Sequence, residues 1–422
     1  MSAEGANTIA TLNGLYKKVY DGKLENLIPD GVKLLNAIKF VRKEKRPGAD
    51  YNQSVILGME HGISFAAPDE GAFLLNNPIA GVIKQANIRG YQMVLRSAMA
   101  FDTMFAADSA GERAFEEATK YIFQAMMDSI SKKLEIRLFY GQSGLAKIES
   151  VSGNVVSIQD SEWAPGIWGG SENMRLAFTN ASTGLVIAGD CVVTAVDFDN
   201  KSITVDALPS DVSAALAVNT PVSIHEYGSI GREMAGLHRI ISNSGELFGI
   251  SAASYSLWKG NSHSCQVDSG SGLADSPLTF NKLAKGLAKP VAKGLQSEVT
   301  VYVNPSSWAD LMTEQAGSRR FDVSYKSGVS QTGSEALEFF SQNGKMTIVS
   351  SIFVKQGYAY AINHEQFLRV GSTDLTFKNP LSKDDFFHLL ENNAGVGIRC
   401  YTNQALFCTK IGHQLMFTGI SA

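Results

Sequence analysis

Apolar positions recur in two rhythms along this chain. Between Gly111 and Gly141, Phe115, Ala118, Ile122, Ala125, Met126, Ile130, Leu134 and Leu138 fall at steps of three and four, the spacing of one helix face. Glu116, Lys120, Gln124, Asp128, Lys132 and Glu135 take the other side. Glu116 precedes Lys120, and Asp128 precedes Lys132, by four residues, the favourable order for helical ion pairs. Ser109 is placed to cap the start, Glu112 suits the positive end of the dipole, and Gly141 is a natural stop. At a rise of about 1.5 Å per residue the helix is about 40 Å long. A single apolar stripe on so long a helix predicts that it lies across something flat. It reads as the spine of a subunit, with Phe115, Ile122, Met126, Ile130 and Leu134 packed on the subunit's own sheet.

The second rhythm is that of short strands. Residues 1–50 read as an arm with short amphipathic helices at Leu12, Leu15, Val19, Leu24 and Leu27, ended by Arg46-Pro47-Gly48. Strands are predicted at Ser54–Leu57, at Gly62–Ala67 and from Ile88 to Arg96, separated by the turn signals Pro68–Gly71 and Asn76–Pro78. They form a long projecting hairpin, marginal unless it lies on another subunit. Beyond the helix, residues 142–235 alternate as short strands of a small sandwich or barrel, with Asp197, Asp199, Asn200 and Lys201 at a hairpin turn. Ser276-Pro277 is expected to open a helix that buries Leu283 and Leu287 and is limited or kinked at Pro290. Val299–Val303 reads as a buried strand, and Asn304-Pro305 as the cap of a helix carrying Trp308, Leu311 and Met312. Gly317–Gly333 reads as a mobile loop. Strands then follow at Met346–Val349, Tyr358–Ile362 and Phe367–Val370, a short helix at Asp384–Leu390, and two last strands from Gly395 to Cys408 and from Gln414 to Thr418.

Composition narrows the function classes. A chain of 422 residues with 44% hydrophobic and 18% charged residues can fill sizeable cores while keeping a sparsely charged surface, as a subunit buried among neighbours would. A net charge of −4 is not that of a nucleic-acid-binding protein. The local exception is Lys39, Arg42, Lys43, Lys45 and Arg46, a solvated arm or a contact for a polyanion. Cys191, Cys265, Cys400 and Cys408 are scattered, which indicates neither zinc nor a disulfide framework and fits a reducing cytoplasm. No signal peptide opens the chain, and no apolar run approaches a membrane span.

Catalytic constellations are not found. His225-Glu226 and His364-Glu365 lack a second histidine at metalloprotease spacing, and His61, His238, His263, His388 and His413 stand apart. Asp268–Leu273 is glycine-rich without a following Gly-Lys-Ser/Thr, and Gly141-Gln-Ser-Gly only approaches a nucleophile elbow. Asp197, Asp199 and Asp206 lack calcium-loop spacing. Trp163 and Trp168, in a Pro/Gly loop, either form a sugar or partner platform or pin that loop to its own core. The expectation is therefore of no catalytic residues, no metal and no cofactor.

The order of elements, with the segment GMEHGISFAAPDEGAF, the helix ending LFYG, Tyr255-Ser-Leu-Trp258-Lys-Gly260 and the strand-to-helix unit from Val299 to Leu311, resembles the major capsid proteins of tailed bacteriophages, which share the Hong Kong phage-type capsid fold. The resemblance implies an α+β fold with an N-terminal arm (residues 1–50), an extended loop (51–96), a peripheral domain with the spine helix (97–141), an inserted β domain (142–235), an axial domain (236–345), further peripheral strands (346–394) and C-terminal axial strands (395–422). It implies hexamers and pentamers building an icosahedral head around double-stranded DNA, in the virion and, during assembly, in the host cytoplasm. No coiled-coil extension precedes the arm, which implies a separate scaffolding protein or none; a portal and a cement protein are further implied partners. Lys84 is the one lysine between residues 51 and 100, but its surroundings do not match the crosslinking motif of some relatives. The rival readings are an encapsulin-like compartment and a β-rich carbohydrate-binding or carbohydrate-active protein built on residues 142–235.

Overall fold

The computed structural model describes residues 31–42, 50–101, 112–269, 272–319, 336–341, 344–378, 387–390 and 394–421. The expected arm helices, the Ser109 cap, Lys43, Lys45 and Arg46 lie outside them, as does most of the Gly317–Gly333 stretch.

The long helix runs from Glu112 to Tyr140, 29 residues, and it crosses two different environments. Ile122, Met126 and Ile130 pack on Met99, Ile398 and Cys400, so these three rest on the subunit's own sheet, whereas Leu134 joins the larger core and the Phe115 side chain lies outside the described residues. That sheet is centred on the strand Gly395–Cys408. One of its edges pairs with Tyr91–Ala100 throughout. The other is shared by Phe367–Thr376 and Phe387–Leu389, and Phe40–Arg42 joins Phe367–Thr376 in parallel. The helix expected at Asp384–Leu390 is therefore, where described, a strand: pairing with Val396–Ile398 outweighs the local helical pattern. From Leu134 onward the long helix is buried all round, Glu135 included. This departs from the one-sided reading, because a second sheet, the barrel and the N-terminal segment converge on its last turns.

The second sheet has six strands in the order Asn261–Ser264, Leu415–Thr418, Tyr358–Ile362, Val299–Val303, Gly344–Ser350, Ala336–Ser341. Its alternation divides two cores. Val299, Val301, Val303, Ala359, Ala361, Leu415 and Phe417 face the helices Phe280–Ala292 and Pro305–Arg319. Tyr302, Tyr360, Ile362 and Met416 face the other way, onto Phe139 and Tyr140 at the end of the long helix. The strand division differs from the expected one. Gly344–Ser350 and Tyr358–Ile362 belong with Val299–Val303, whereas Gly395–Cys408 belongs with the sheet under the long helix. A parallel pair needs a crossover, here the helix Pro305–Arg319, and pattern alone cannot say which sheet a buried strand joins.

Residues 146–226 close into a six-stranded barrel, in the order Val222–Glu226, Ala146–Ser152, Val155–Ile158, Ser202–Val205, Val186–Asp197, Arg175–Asn180. Val186–Asp197 is one 12-residue strand, longer than the short strands expected of this region, and bent at Asp190, which takes a left-handed φ of 72°. Asp197 accepts the N–H groups of Asp199 and Asn200 at the expected turn. The helix expected from Ser276-Pro277 begins instead at Phe280, capped by the Thr279 hydroxyl, and continues through Pro290 to Ala292. Asn304 caps the next helix by accepting the Ser306 N–H.

Gly141 ends the long helix for a reason the pattern did not show. A Cβ there would stand 2.1 Å from the Met234 carbonyl oxygen. Gly236 is matched to it, with its N–H donated to the Gly141 carbonyl. The left-handed residue after the helix is Gln142, held by its bonds to Glu233.

Candidate assembly surfaces

The projecting loop is a two-stranded ribbon, Asp50–Gly58 against Val82–Arg89. Period-two alternation gives it an inner face, where Tyr51, Val55, Leu57, Ala86 and Ile88 pack on the body, and an outer face with Ile56 and Ile83 exposed. Tyr51 meets Phe407 edge-on, and Phe248 meets the same ring from a strained turn with a φ of 54°. The Phe248 carbonyl accepts the Asn87 N–H, which fixes the base of the ribbon. The expected single strand through Ile88–Arg96 is broken at Gly90, where a Cβ would collide with Asn403.

Beyond Gly58 the chain leaves the body. The strand expected at Gly62–Ala67 is not formed; residues 59–81 are held by a few local bonds, such as His61 N–H to the Ile79 carbonyl and Asn76 Nδ2 to the Ile63 carbonyl. Yet this segment is apolar: Leu74 is 94% exposed, Phe65 85%, Leu75 77% and Met59 76%. Covering each such side chain is worth about 1.5–3 kcal/mol, and large contiguous apolar exposure marks a contact surface. Lys84 stands exposed on the ribbon, across from Val55.

A second feature ties the N-terminal segment down. The Glu135 carboxylate accepts the backbone N–H groups of Lys33, Leu34 and Leu35 at 3.1, 2.8 and 2.7 Å. It thus caps the helix Leu34–Ala37 from about a hundred residues away, where no local side chain does. Burial pushes its carboxyl up to about 7, against those three bonds. Arg369 adds bonds from its Nε to the Ile38 carbonyl and from its N–H to the Lys39 carbonyl. Of the basic run, Lys39 is exposed just before the strand Phe40–Arg42. The polar-face position of Glu135 gave no sign of this role; only the approach of Leu34 reveals it.

Two ionic groups, one buried and one partly exposed, join the barrel to the rest. Glu162 takes Lys355 Nζ at 2.6 Å, Lys147 Nζ at 2.7 Å and the Tyr358 hydroxyl at 3.2 Å. Burial raises the Glu162 carboxyl, but Lys355 and Lys147 together outweigh it and hold it well below the usual range. Glu226 binds Lys133 and Arg137 of the long helix, and Arg137 also reaches Glu233. The latter group borders a cleft of about 400 Å³ between Tyr91–Leu95, the long helix and the barrel exit. The Glu162 group is packed under Tyr140, His238 and Tyr360. Its tight ion pairs and burial serve cohesion.

The remaining candidates resolve into structural roles. His225 lies 3.0 Å from the Thr179 hydroxyl, and burial lowers its imidazole to about 4. His364 meets the Tyr302 hydroxyl at 2.8 Å. Asp206 accepts the N–H groups of Val192 and Ala207, so it does not gather with Asp197 and Asp199. Among the described residues no three potential metal ligands cluster. Asp268 and Leu273 pair across a small hairpin. Trp163 and Trp168 are 2% and 0% exposed and stack on each other, which overturns the platform reading and leaves them pinning the loop. The four cysteines are free and buried, and no helix among the described residues is long and apolar enough to cross a membrane.

A spine helix laid on one sheet, a second sheet with helices on one face, an extended ribbon and a docked N-terminal segment together make up the fold of tailed-phage capsid chains. The Cyanophage A-1(L) capsid asymmetric unit has a chain that is 11% identical, with 99% of this chain and 100% of that chain covered and a TM-score of 0.57. The capsid of the native GTA particle gives 7% identity, 98% and 99% coverage and a TM-score of 0.48. The holo-SrpI encapsulin complex of Synechococcus elongatus PCC 7942 gives 8%, 99% and 96% coverage and 0.40. The last two scores are too low to choose between a virus head and a cargo compartment. No family model and no curated protein matches the chain.

Proposed function

We propose that this chain is a major capsid protein, a structural subunit that assembles as hexamers and pentamers into an icosahedral head enclosing double-stranded DNA. The observation that carries the reading is the projecting segment 59–81, which exposes Met59, Ile63, Phe65, Leu74 and Leu75 within one stretch, whereas other strongly exposed large apolar residues among those described, such as Leu185, Val218, Leu273 and Leu389, are scattered along the chain. A monomer gains nothing from that arrangement. A ring of subunits, each lapping the next, covers it through repeated heterologous contacts that close. The capsid fold supports the same reading. In it, the sheet beside Val299–Val303 is the axial part, the long helix and its sheet the peripheral part, and the barrel an inserted domain. The chain's role is structural, with no reaction assigned to it.

Electron microscopy of the purified protein tests this directly. Shells, or rings with sixfold and fivefold symmetry, are expected. Deleting Pro68–Asn77 is expected to leave a folded, soluble protein that forms none. Normal shells from the deletion would refute the lapping role, and a wild-type protein that stays monomeric at all concentrations would refute the capsid reading. Particles filled with an enzyme and free of DNA would establish the compartment instead.

A further inference from the structure

The helix Phe280–Ala292 has one face in the core and one in solvent. Leu283, Gly286, Leu287 and Pro290 are buried. Gly286 lies so close that a Cβ would stand 2.4 Å from the Phe417 ring. The face turned from the core carries Lys282, Lys285 and Lys289, and the C-cap residue Lys293 extends the row, at steps of three, four and four; Lys285 and Lys289 are exposed, Lys282 and Lys293 half-buried. Those steps set four ammonium groups in a row about 16 Å long. Residues 276–297 contain no Asp or Glu.

The row is held but not neutralised. Lys282 Nζ bonds the Ser276 hydroxyl and the Pro277 carbonyl, Lys289 Nζ the Ser262 carbonyl, and Lys293 Nζ the Lys259 carbonyl. These oxygens orient the ammonium groups without carrying a counter-charge. Among the described residues no carboxylate pairs with any of the four. The neighbouring acids are turned to other partners: Asp275 accepts from Gln266, and Glu314 from the Phe280 N–H. Burial, and then the fields of Lys289, Lys282 and Lys285, hold the His263 imidazole below its ordinary value, a mark of how these cations converge.

We propose that this lysine row is a binding strip for the phosphate backbone of double-stranded DNA. Between the lysines the surface offers only Asn281 and small alanines such as Ala288 and Ala292. A protein partner needs an apolar or aromatic anchor in a pocket, which this face does not supply. A duplex needs only fixed cations, since it carries one charge per about 1.7 Å of its axis. Contact of this kind is independent of sequence, as a container's lining must be. The proposal rests on the capsid reading, and it assigns the outer side of these axial helices to the DNA-filled interior.

The test uses the full-length protein and a short fluorescent DNA duplex, with anisotropy read from about 50 to about 200 mM salt. Two variants are compared, all four lysines changed to Gln and all four to Arg. The Gln variant is expected to bind at least about tenfold more weakly and to lose about three to four from the slope of log K against log salt, while the Arg variant keeps both. Unchanged affinity and slope in the Gln variant would overturn the strip. So would a polyglutamate chain that competes as well as duplex, which would mark an acidic protein as the ligand. Should the fourfold Gln variant not fold, Lys285→Gln, at an exposed position, carries the test with a slope change of about one. Electron microscopy of the same samples keeps the two readings apart: shells that have lost DNA affinity support the strip, and shells whose affinity is unchanged overturn the strip alone.

Discussion

Glu162→Gln is the sharpest probe of how the barrel is held. Glu162 and Lys355 are both under 5% exposed, and Lys355 Nζ has the carboxylate at 2.6 Å and the Gly144 carbonyl at 3.2 Å. The amide keeps the volume but removes the charge. It leaves the Lys355 ammonium buried beside Lys147 with carbonyl and ring contacts only. Breaking one partner of a buried pair costs about 3–5 kcal/mol. Lys147 is 39% exposed and turns to water, so it adds little. Replacing both members, Glu162→Leu with Lys355→Met, removes the stranded charge and is expected to recover most of the loss. The assay is urea unfolding of the wild-type protein, the Gln variant and the double variant, followed by far-UV circular dichroism and by tryptophan fluorescence, since Trp163 adjoins Glu162 and stacks on Trp168. A loss under about 1 kcal/mol in the single variant would refute the argument, because a buried, uncompensated ammonium cannot be that cheap. The pH dependence follows the same logic. The folded carboxyl sits below its ordinary 4.5, so its contribution is fully present above that value and is lost as the pH falls below it. The Gln variant is expected to lack that part of the acid sensitivity.

Two further outcomes concern the long helix. Glu135→Ala leaves the N–H groups of Lys33, Leu34 and Leu35 without their acceptor, at about 1–3 kcal/mol per orphaned group before water enters; hydrogen exchange is expected to lose protection at residues 33–38 and to keep it in the barrel, and equal protection in both proteins would show that the clasp is not what holds the segment. Met126→Asp places a charge among Met99, Ile398 and Cys400 and is expected to reduce folded yield before any effect on assembly appears; a soluble, folded monomer from this variant would show that the stripe faces another subunit.

The sequence by itself determined the elements whose cause is local. The spacing of Ile122, Met126 and Ile130 specified a helix and its buried face, because periodicity is a property of the chain alone. Asp197 and Asn200 specified their turn, and Asn304 its cap, through bonds reaching only two or three residues. Lys282, Lys285, Lys289 and Lys293 stand at helical spacing in the sequence, but only the packing of Leu283 and Leu287 shows that they lie away from the core. Only the tertiary structure decided the rest. Which sheet receives Gly395–Cys408 depends on partners far apart in sequence, as in its pairing with Tyr91–Ala100, from Gly395 with Ala100 to Gln404 with Tyr91. The burial of Glu135 and the pairing of Glu162 with Lys355 depend on elements meeting across 100 and 193 residues. Gly141 reads locally as a helix stop, but the tight approach of the Met234 carbonyl is what excludes a side chain there. The exposure of Phe65 and Leu74 likewise has no local cause: an apolar residue becomes a contact surface only where the fold leaves it without a core to enter.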